Sequence, residues 1–131
     1  MMYFWVMLGS ALGGGARYWF SGLASDQFGE TFPWGTLIVN VTGSFIIGFF
    51  STLTGPDGRV FVGSEGRQFV MIGLCGGYTT FSSFSLQTLS LVRDGEMALA
   101  GANIGMSFVF CLLAVWLGHI AAVSLNQLKG A

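Results

Sequence analysis

The amino-acid sequence predicts an all-α membrane protein with four transmembrane helices. Of its 131 residues, 53% are hydrophobic and only 8% are charged, whereas about 25% of the residues in a soluble domain are charged. Four stretches are apolar over the roughly 20 residues that a helix needs to cross a bilayer: residues 3–23, 33–54, 69–92 and 97–128. The segments between them are too short to fold separately, so residues 1–131 are predicted to form one transmembrane domain.

The four predicted helices differ in their charged residues, their boundaries and their continuity. The first is uncharged as far as Arg17. The second has no charge and begins with Pro33, which suits the first turn of a helix because its missing N–H has no partner there. The third is interrupted near its middle by glycines and hydroxyl residues. The fourth holds no Asp, Glu, Lys or Arg, and its extra length implies tilt or continuation past the membrane surface.

The charge pattern specifies the orientation of the chain in the membrane only weakly. With a cytoplasmic N-terminus, that side would carry Arg59, Arg67 and Lys129. The other side would carry Arg93, with Arg17 near it, so the bias is about one positive charge. Such a chain could insert in both directions and form an antiparallel oligomer; the alternative is a single topology with a sparse charge signal. The net charge of −1 gives no reason to expect nucleic-acid binding.

The run of residues 73–85 is the most informative motif in the chain. Its Gly76-Gly77 pair is followed by several hydroxyl residues in the middle of a predicted span. In hydrocarbon an unpaired backbone group is costly, so irregular backbone is tolerated only where it is buried in protein or lines a wet cavity. The motif therefore predicts a helix break that serves an ion or a small polar solute. The alternative is a glycine-kinked helix with a packing role only.

Small residues recur at helical spacing, which lets helices approach closely in lipid. The pairs are Gly9 and Gly13, Ser44 and Gly48, and Gly101 and Gly105. Packing is the favoured role for most of the glycines. Cys75 and Cys111 lie within apolar segments and are interpreted as small buried hydrophobes.

The chain shows no catalytic set and is predicted not to be an enzyme. Its single histidine, His119, has no acidic neighbour in its span. None of the four predicted spans contains Asp or Glu. Their absence argues against proton-coupled antiport and against a cation channel built on acidic rings.

The polar groups that remain in the spans are mostly hydrogen-bond donors. Asn40 lies midway along the second span, and Phe81 and Phe84 share one face of the third. A further group follows one face of the fourth span: Asn103, Ser107 and Cys111. Amide, hydroxyl and free backbone N–H groups suit an anion stripped of water, and aromatic ring edges carry partial positive charge. Each residue alone is better explained by packing, whereas the combination indicates an anion path.

Three motifs resemble the Fluc family of fluoride channels (CrcB family), small four-helix membrane proteins of bacteria and other microbes. They are residues 13–18, 33–40 and 73–85, and the likeness extends over the whole chain. The resemblance implies an antiparallel, dual-topology homodimer with two separate pores, spanning the bacterial inner membrane several times. It also implies passive, fluoride-selective conduction, which lets fluoride leave a cell that accumulates it as the weak acid HF.

The resemblance assigns roles to residues around the expected break. The third helix would break near residues 76–80, where two subunits cross. The backbone carbonyls of Gly76 and Thr79 from both subunits would hold a structural Na⁺ at the dimer interface. Phe81 and Phe84 match the phenylalanines whose ring edges face fluoride.

Further roles fall on the other helices. Asn40 matches the pore asparagine of the second helix, and Ser107 falls on the polar track of the fourth. A supporting polar cluster would consist of Arg17, Thr36 and Gln87.

The chain departs from the family's pattern in two places. Gln87 stands where the family often has glutamate, which removes a counter-charge from the cluster but keeps its hydrogen bonding. Cys111 and Val115 interrupt the polar track where relatives can have hydroxyls. Two rival interpretations are a small multidrug-type dimeric transporter, disfavoured because the first span lacks a carboxylate, and a non-transporting membrane assembly protein.

Overall fold

A computed structural model of the protein describes residues 1–128, and all regular structure in that range is helical. The predicted all-α fold class is therefore confirmed. In chain order the elements are α1 Met2–Phe28, α2 Trp34–Leu53, α3 Ser64–Gln68, a π-helical segment Phe69–Cys75, α4 Gly76–Tyr78, α5 Phe81–Arg93 and α6 Met97–Gln127. Lys129, one of the charges in the predicted orientation bias, lies outside the described residues.

Within residues 1–128, three helical stretches are long and apolar enough to cross a membrane: Trp34–Leu53, Ser64–Arg93 and Met97–Gln127. Helix α1 has 27 residues and is therefore about 40 Å long, but it is less hydrophobic than these three. Glycines, serines and Arg17 occupy much of its length. The structure thus supports three of the four predicted spans by length and composition.

Helix α1 lies directly against the third helical stretch because glycines remove the side chains between them. A Cβ atom added to Gly9 would lie 2.6 Å from the carbonyl oxygen of Phe69 and 2.9 Å from the Cα atom of Gly73. A Cβ atom added to Gly77 would lie 2.6 Å from the carbonyl oxygen of Ser10. The two backbones are in contact, as small residues permit in lipid. This contact fixes the third stretch just before its break.

Helices α2 and α6 form the other extensive pair and run in the same direction. Gly48 packs against the backbone of Val115, and one turn further along both helices Thr52 Oγ1 lies 2.7 Å from His119 Nδ1. His119 therefore has a structural partner on the neighbouring helix.

The predicted small-residue pair in α6 behaves differently. Gly101 and Gly105 are exposed, and a Cβ atom on either would meet nothing within 4 Å. Among the described residues these two glycines do not mediate the helix packing expected of them. On the exposed side of α6 they leave two positions without a side chain.

Many large apolar side chains lie on the outside of the molecule. Tyr3 is 85% exposed and Leu112 is 68% exposed, whereas the fully buried positions hold smaller residues such as Val39 and Ala122. An apolar outer surface of this extent is a liability in water and is suited to lipid. The arrangement is that of a multi-pass membrane protein.

The contact at Gly9 can be tested by stability. Gly9→Ala is expected to lower the melting temperature of the purified protein in detergent, because the new methyl group would overlap the backbone of the third stretch. Gly14→Ala is the matched control: a Cβ atom there meets nothing within 4 Å, and alanine favours a helix over glycine by about 1 kcal/mol. Thermal unfolding of both variants measures the difference. Equal melting temperatures would contradict the close approach at Gly9.

Candidate functional site

The third helical stretch is broken at Thr79 and Thr80. Thr79 N–H still closes the preceding turn, donating to the carbonyl of Cys75 at 2.9 Å. Both threonines then adopt extended backbone, with ψ angles of 161° and 117°. Thr80 caps α5, since its Oγ1 accepts a hydrogen bond from Ser83 N–H at 3.1 Å. The break expected within residues 76–80 is present and falls at these two residues.

One side chain from α2 pairs with both polar backbone groups of Thr80. The N–H of Thr80 donates to Asn40 Oδ1 at 2.8 Å, and Asn40 Nδ2 donates to the Thr80 carbonyl at 3.0 Å. The amide of Asn40 thus makes the two hydrogen bonds that a neighbouring strand would make to Thr80 in a β-sheet. This pairing satisfies a backbone unit that no helix satisfies at membrane depth.

The same geometry releases two carbonyls from helical hydrogen bonding. In an α-helix each carbonyl accepts from the N–H four residues later. Thr80 N–H, the donor for Gly76, is diverted to Asn40. Ser83 N–H, the donor for Thr79, is diverted to the Thr80 side chain. The carbonyls of Gly76 and Thr79, which the family resemblance implies bind a cation, are therefore among those that lose their usual helical donors at the break.

A cavity of about 250 Å³ adjoins the break. Its lining combines backbone of the break with small and polar side chains of α2: Asn40, Gly43, Ser44, Ile47, Cys75, Gly76, Thr79, Thr80 and Phe81. A cavity of this volume has room for several waters or a small ion.

The two phenylalanines of the motif are in contact but differ in exposure. The ring centroids of Phe81 and Phe84 are 5.3 Å apart, with an angle of 44° between the ring planes. Phe84 is 7% exposed and also meets Phe108 of α6, at 6.0 Å between centroids. Phe81 is 68% exposed. One ring of the pair therefore belongs to the core, and the other is free to contact a second molecule.

The polar stripe of α6 faces two different neighbours. Asn103 and Ser107 are buried, with 1% and 7% of their surface exposed, and Asn103 Nδ2 donates to Thr88 Oγ1 of α5 at 2.9 Å. Cys111 instead lies near Ser44 on α2. Sequence reasoning missed Thr88; its position one turn after Phe84, on the same face of α5, was the available signal.

The expected cluster of Arg17, Thr36 and Gln87 is only partly assembled. Thr36 and Gln87 line one cavity of about 260 Å³, and Gln87 Oε1 is the buried side-chain polar atom without a hydrogen-bond partner in residues 1–128. Arg17 does not line this cavity; its Nε donates to the carbonyl of Gly77 at 3.2 Å. Arg17 lies on the face of α1 that holds Gly9, so it reaches the break instead.

Comparisons with known proteins match nearly the whole chain to one family. A family model described as "CrcB-like protein, Camphor Resistance (CrcB)" matches residues 4–119. A protein of Methylocella silvestris is 66% identical over 131 residues, with 100% of both chains covered. One of Opitutus terrae is 64% identical over 130 residues, with 99% of this chain and 98% of the relative covered.

A third relative, from Rhodospirillum rubrum, is 58% identical over 127 residues, which cover 97% of this chain and 98% of the relative. All three relatives are named fluoride-specific ion channel FluC. The matched range includes the helix break and the side chains around it. These matches show that the chain belongs to the CrcB family.

Proposed function

We propose that this protein is a fluoride-selective channel, not an enzyme, and that it lets fluoride leak passively out of a bacterial cell across its inner membrane. Such a leak would protect a cell that accumulates fluoride as HF. The observation that supports this most directly is a helix break at membrane depth built from donors and aromatic rings. Relatives that match the full chain and are named fluoride-specific ion channels support the choice of ion.

Fluoride gives up its hydration shell only where donors replace it, and it leaves only if no single site binds too tightly. An amide nitrogen has two N–H groups, and Asn40 uses one on the Thr80 carbonyl. The second is available to an anion in the cavity that Asn40 lines. The positive ring edges of Phe81 and Phe84 and the hydroxyl of Ser107 would continue the path.

The active form is an antiparallel homodimer in which each subunit crosses the membrane four times. Helix α1 adds the remaining span to the three long apolar stretches. It is long enough to cross a bilayer, and its glycine contact with the third stretch holds it alongside helices that are apolar enough to span. Phe81, exposed in one chain, would be covered by the partner. The weak charge bias allows both insertions.

A structural Na⁺ at the dimer interface fits the chemistry of the break. Unwound backbone carbonyls in membrane proteins coordinate Na⁺, and Gly76 and Thr79 have the carbonyls whose helical donors are diverted. Two such carbonyls from each subunit would hold the ion. It would join the two breaks without entering the transport path.

The alternative is a small multidrug-type dimeric transporter. Transporters that exchange protons for substrate use a carboxylate inside the membrane. Residues 3–23 hold no Asp or Glu, so this function is disfavoured. Purified protein in liposomes separates the two, since a channel releases loaded fluoride without a proton gradient.

Phe81→Ile and Phe84→Ile are each expected to cut fluoride efflux from such liposomes strongly. Isoleucine keeps the size and apolarity of the side chain roughly constant and removes the positive ring edge. Efflux is followed with a fluoride electrode, and size exclusion checks that the assembly survives. Normal efflux from both single variants would show that the ring edges of Phe81 and Phe84 do not take part in conduction.

Asn40→Asp is expected to abolish fluoride efflux near neutral pH. A carboxylate in a low-dielectric path repels an anion by several kcal/mol, and it no longer donates to the Thr80 carbonyl. Ser85→Ala is the control, because within residues 1–128 the Ser85 hydroxyl bonds only to the Phe81 carbonyl of its own helix, at 3.0 Å. Unchanged efflux through the Asn40→Asp variant would show that Asn40 does not face the ion.

Two or three lysines added after Lys129 are expected to hold most copies in one orientation, because the native charge bias is small. If antiparallel pairs are required, this variant alone loses fluoride efflux and regains it when produced together with a copy biased the other way. A variant fixed in one orientation that conducts normally would rule out the antiparallel dimer and the shared Na⁺ site.

A further inference from the structure

A relay of hydrogen bonds, half-buried at Thr88 and buried at Asn103, joins Ser107 of α6 to Phe84 of α5. Ser107 Oγ donates to Asn103 Oδ1 at 3.5 Å, and Asn103 Nδ2 donates to Thr88 Oγ1 at 2.9 Å. Thr88 Oγ1 donates in turn to the carbonyl of Phe84 at 2.8 Å. The two ends of the relay are residues assigned above to the fluoride path. Between them, Asn103 has so far been named only as a member of the polar stripe of α6, and Thr88 has no assigned role.

Thr88 sets the direction of the whole relay. A hydroxyl has a single proton to donate, and Thr88 donates it to the Phe84 carbonyl. Thr88 can therefore only accept from Asn103, which turns the amide nitrogen toward Thr88 and the amide oxygen toward Ser107. Without the Thr88 hydroxyl, nothing in the relay would fix which way the Asn103 amide points.

The orientation of Asn103 matters for the Ser107 hydroxyl. Serine in a helix commonly donates to the backbone carbonyl four residues earlier, which here is the carbonyl of Asn103. The Asn103 side-chain oxygen competes for that proton and holds it outside the helix backbone. The bond is 3.5 Å long, at the weak limit for a hydrogen bond, so the hydroxyl can turn to an anion at small cost.

Stability alone does not account for this arrangement. Asn103 is 1% exposed, and an amide buried so completely is unfavourable unless it is hydrogen-bonded. Hydrogen bonds between helices in membranes contribute little net stability, and an apolar side chain of similar size would pack at this position without any polar group to satisfy. The relay therefore points to a need for orientation.

We propose that Asn103 and Thr88 are positioning residues of the ion path: they orient the Ser107 hydroxyl as a donor and fix the backbone of Phe84 without touching the ion. The inference rests on the proposed fluoride conduction. It predicts that removing the relay slows each channel, beyond any effect on how many channels fold.

The test uses Thr88→Val, which keeps the side-chain shape and removes the hydroxyl, and Thr88→Ser, which keeps the hydroxyl. Fluoride efflux is measured from liposomes that hold on average less than one channel each. The fraction of fluoride released counts the active channels, and the time course gives the rate per channel. Thr88→Val is expected to lower the rate per channel about fivefold, as the loss of one oriented hydrogen bond implies, and Thr88→Ser is expected to restore it.

Thr52→Val is the matched control. It removes the 2.7 Å hydrogen bond between Thr52 and His119, which also joins two helices, but at the far end of α2 from the relay. The control is expected to keep the wild-type rate per channel. A purely structural role for Thr88 would lower the active fraction in both valine variants and leave the rate per channel unchanged in both, which would overturn the proposal.

Asn103→Leu provides a second variant in case few Thr88→Val channels are active, and it is expected to slow each channel at least as much. A wild-type rate per channel in either variant overturns the positioning role while the proposed function stands. Wild-type protein that releases no fluoride overturns the proposed function and this inference together.

Discussion

The pairing of Asn40 with Thr80 is the interaction on which the rest of the site depends. Because the side-chain amide satisfies both backbone groups of Thr80, the chain can leave helical geometry inside the membrane without exposing unpaired polar groups. The diverted donors free the carbonyls of Gly76 and Thr79. The extended backbone then lets Thr80 cap a new helix, which begins with Phe81.

The break is also held from the opposite side by α1. Close backbone contact at Gly9 holds the third stretch against α1, and Arg17 Nε donates to the carbonyl of Gly77. A cation within a span usually pairs with a carboxylate or with backbone carbonyls, and Arg17 pairs with the backbone carbonyl of Gly77. Arg17 therefore contacts the backbone next to the break, whereas the family resemblance implied a place beside Thr36 and Gln87.

Features set by local spacing could be predicted from the sequence, and features set by long-range contacts could not. The helices and the break follow from composition and from the Gly76-Gly77 motif, and the contact between Phe81 and Phe84 follows from helical spacing. The partner of Asn40 lies 40 positions away, and no periodic pattern indicates it. The helical spacing of Thr88 from Phe84 places the two on one face of α5, but the bond from Asn103 to Thr88 could not be predicted, because a helical threonine ordinarily bonds its own backbone, as Thr88 also does.

The extended residues Thr79 and Thr80 constrain the order in which the chain can enter the bilayer. Helix α2 precedes them in the sequence, so Asn40 reaches membrane depth before Thr80 is inserted. The polar groups of Thr80 then find a partner at once and need not remain exposed to lipid.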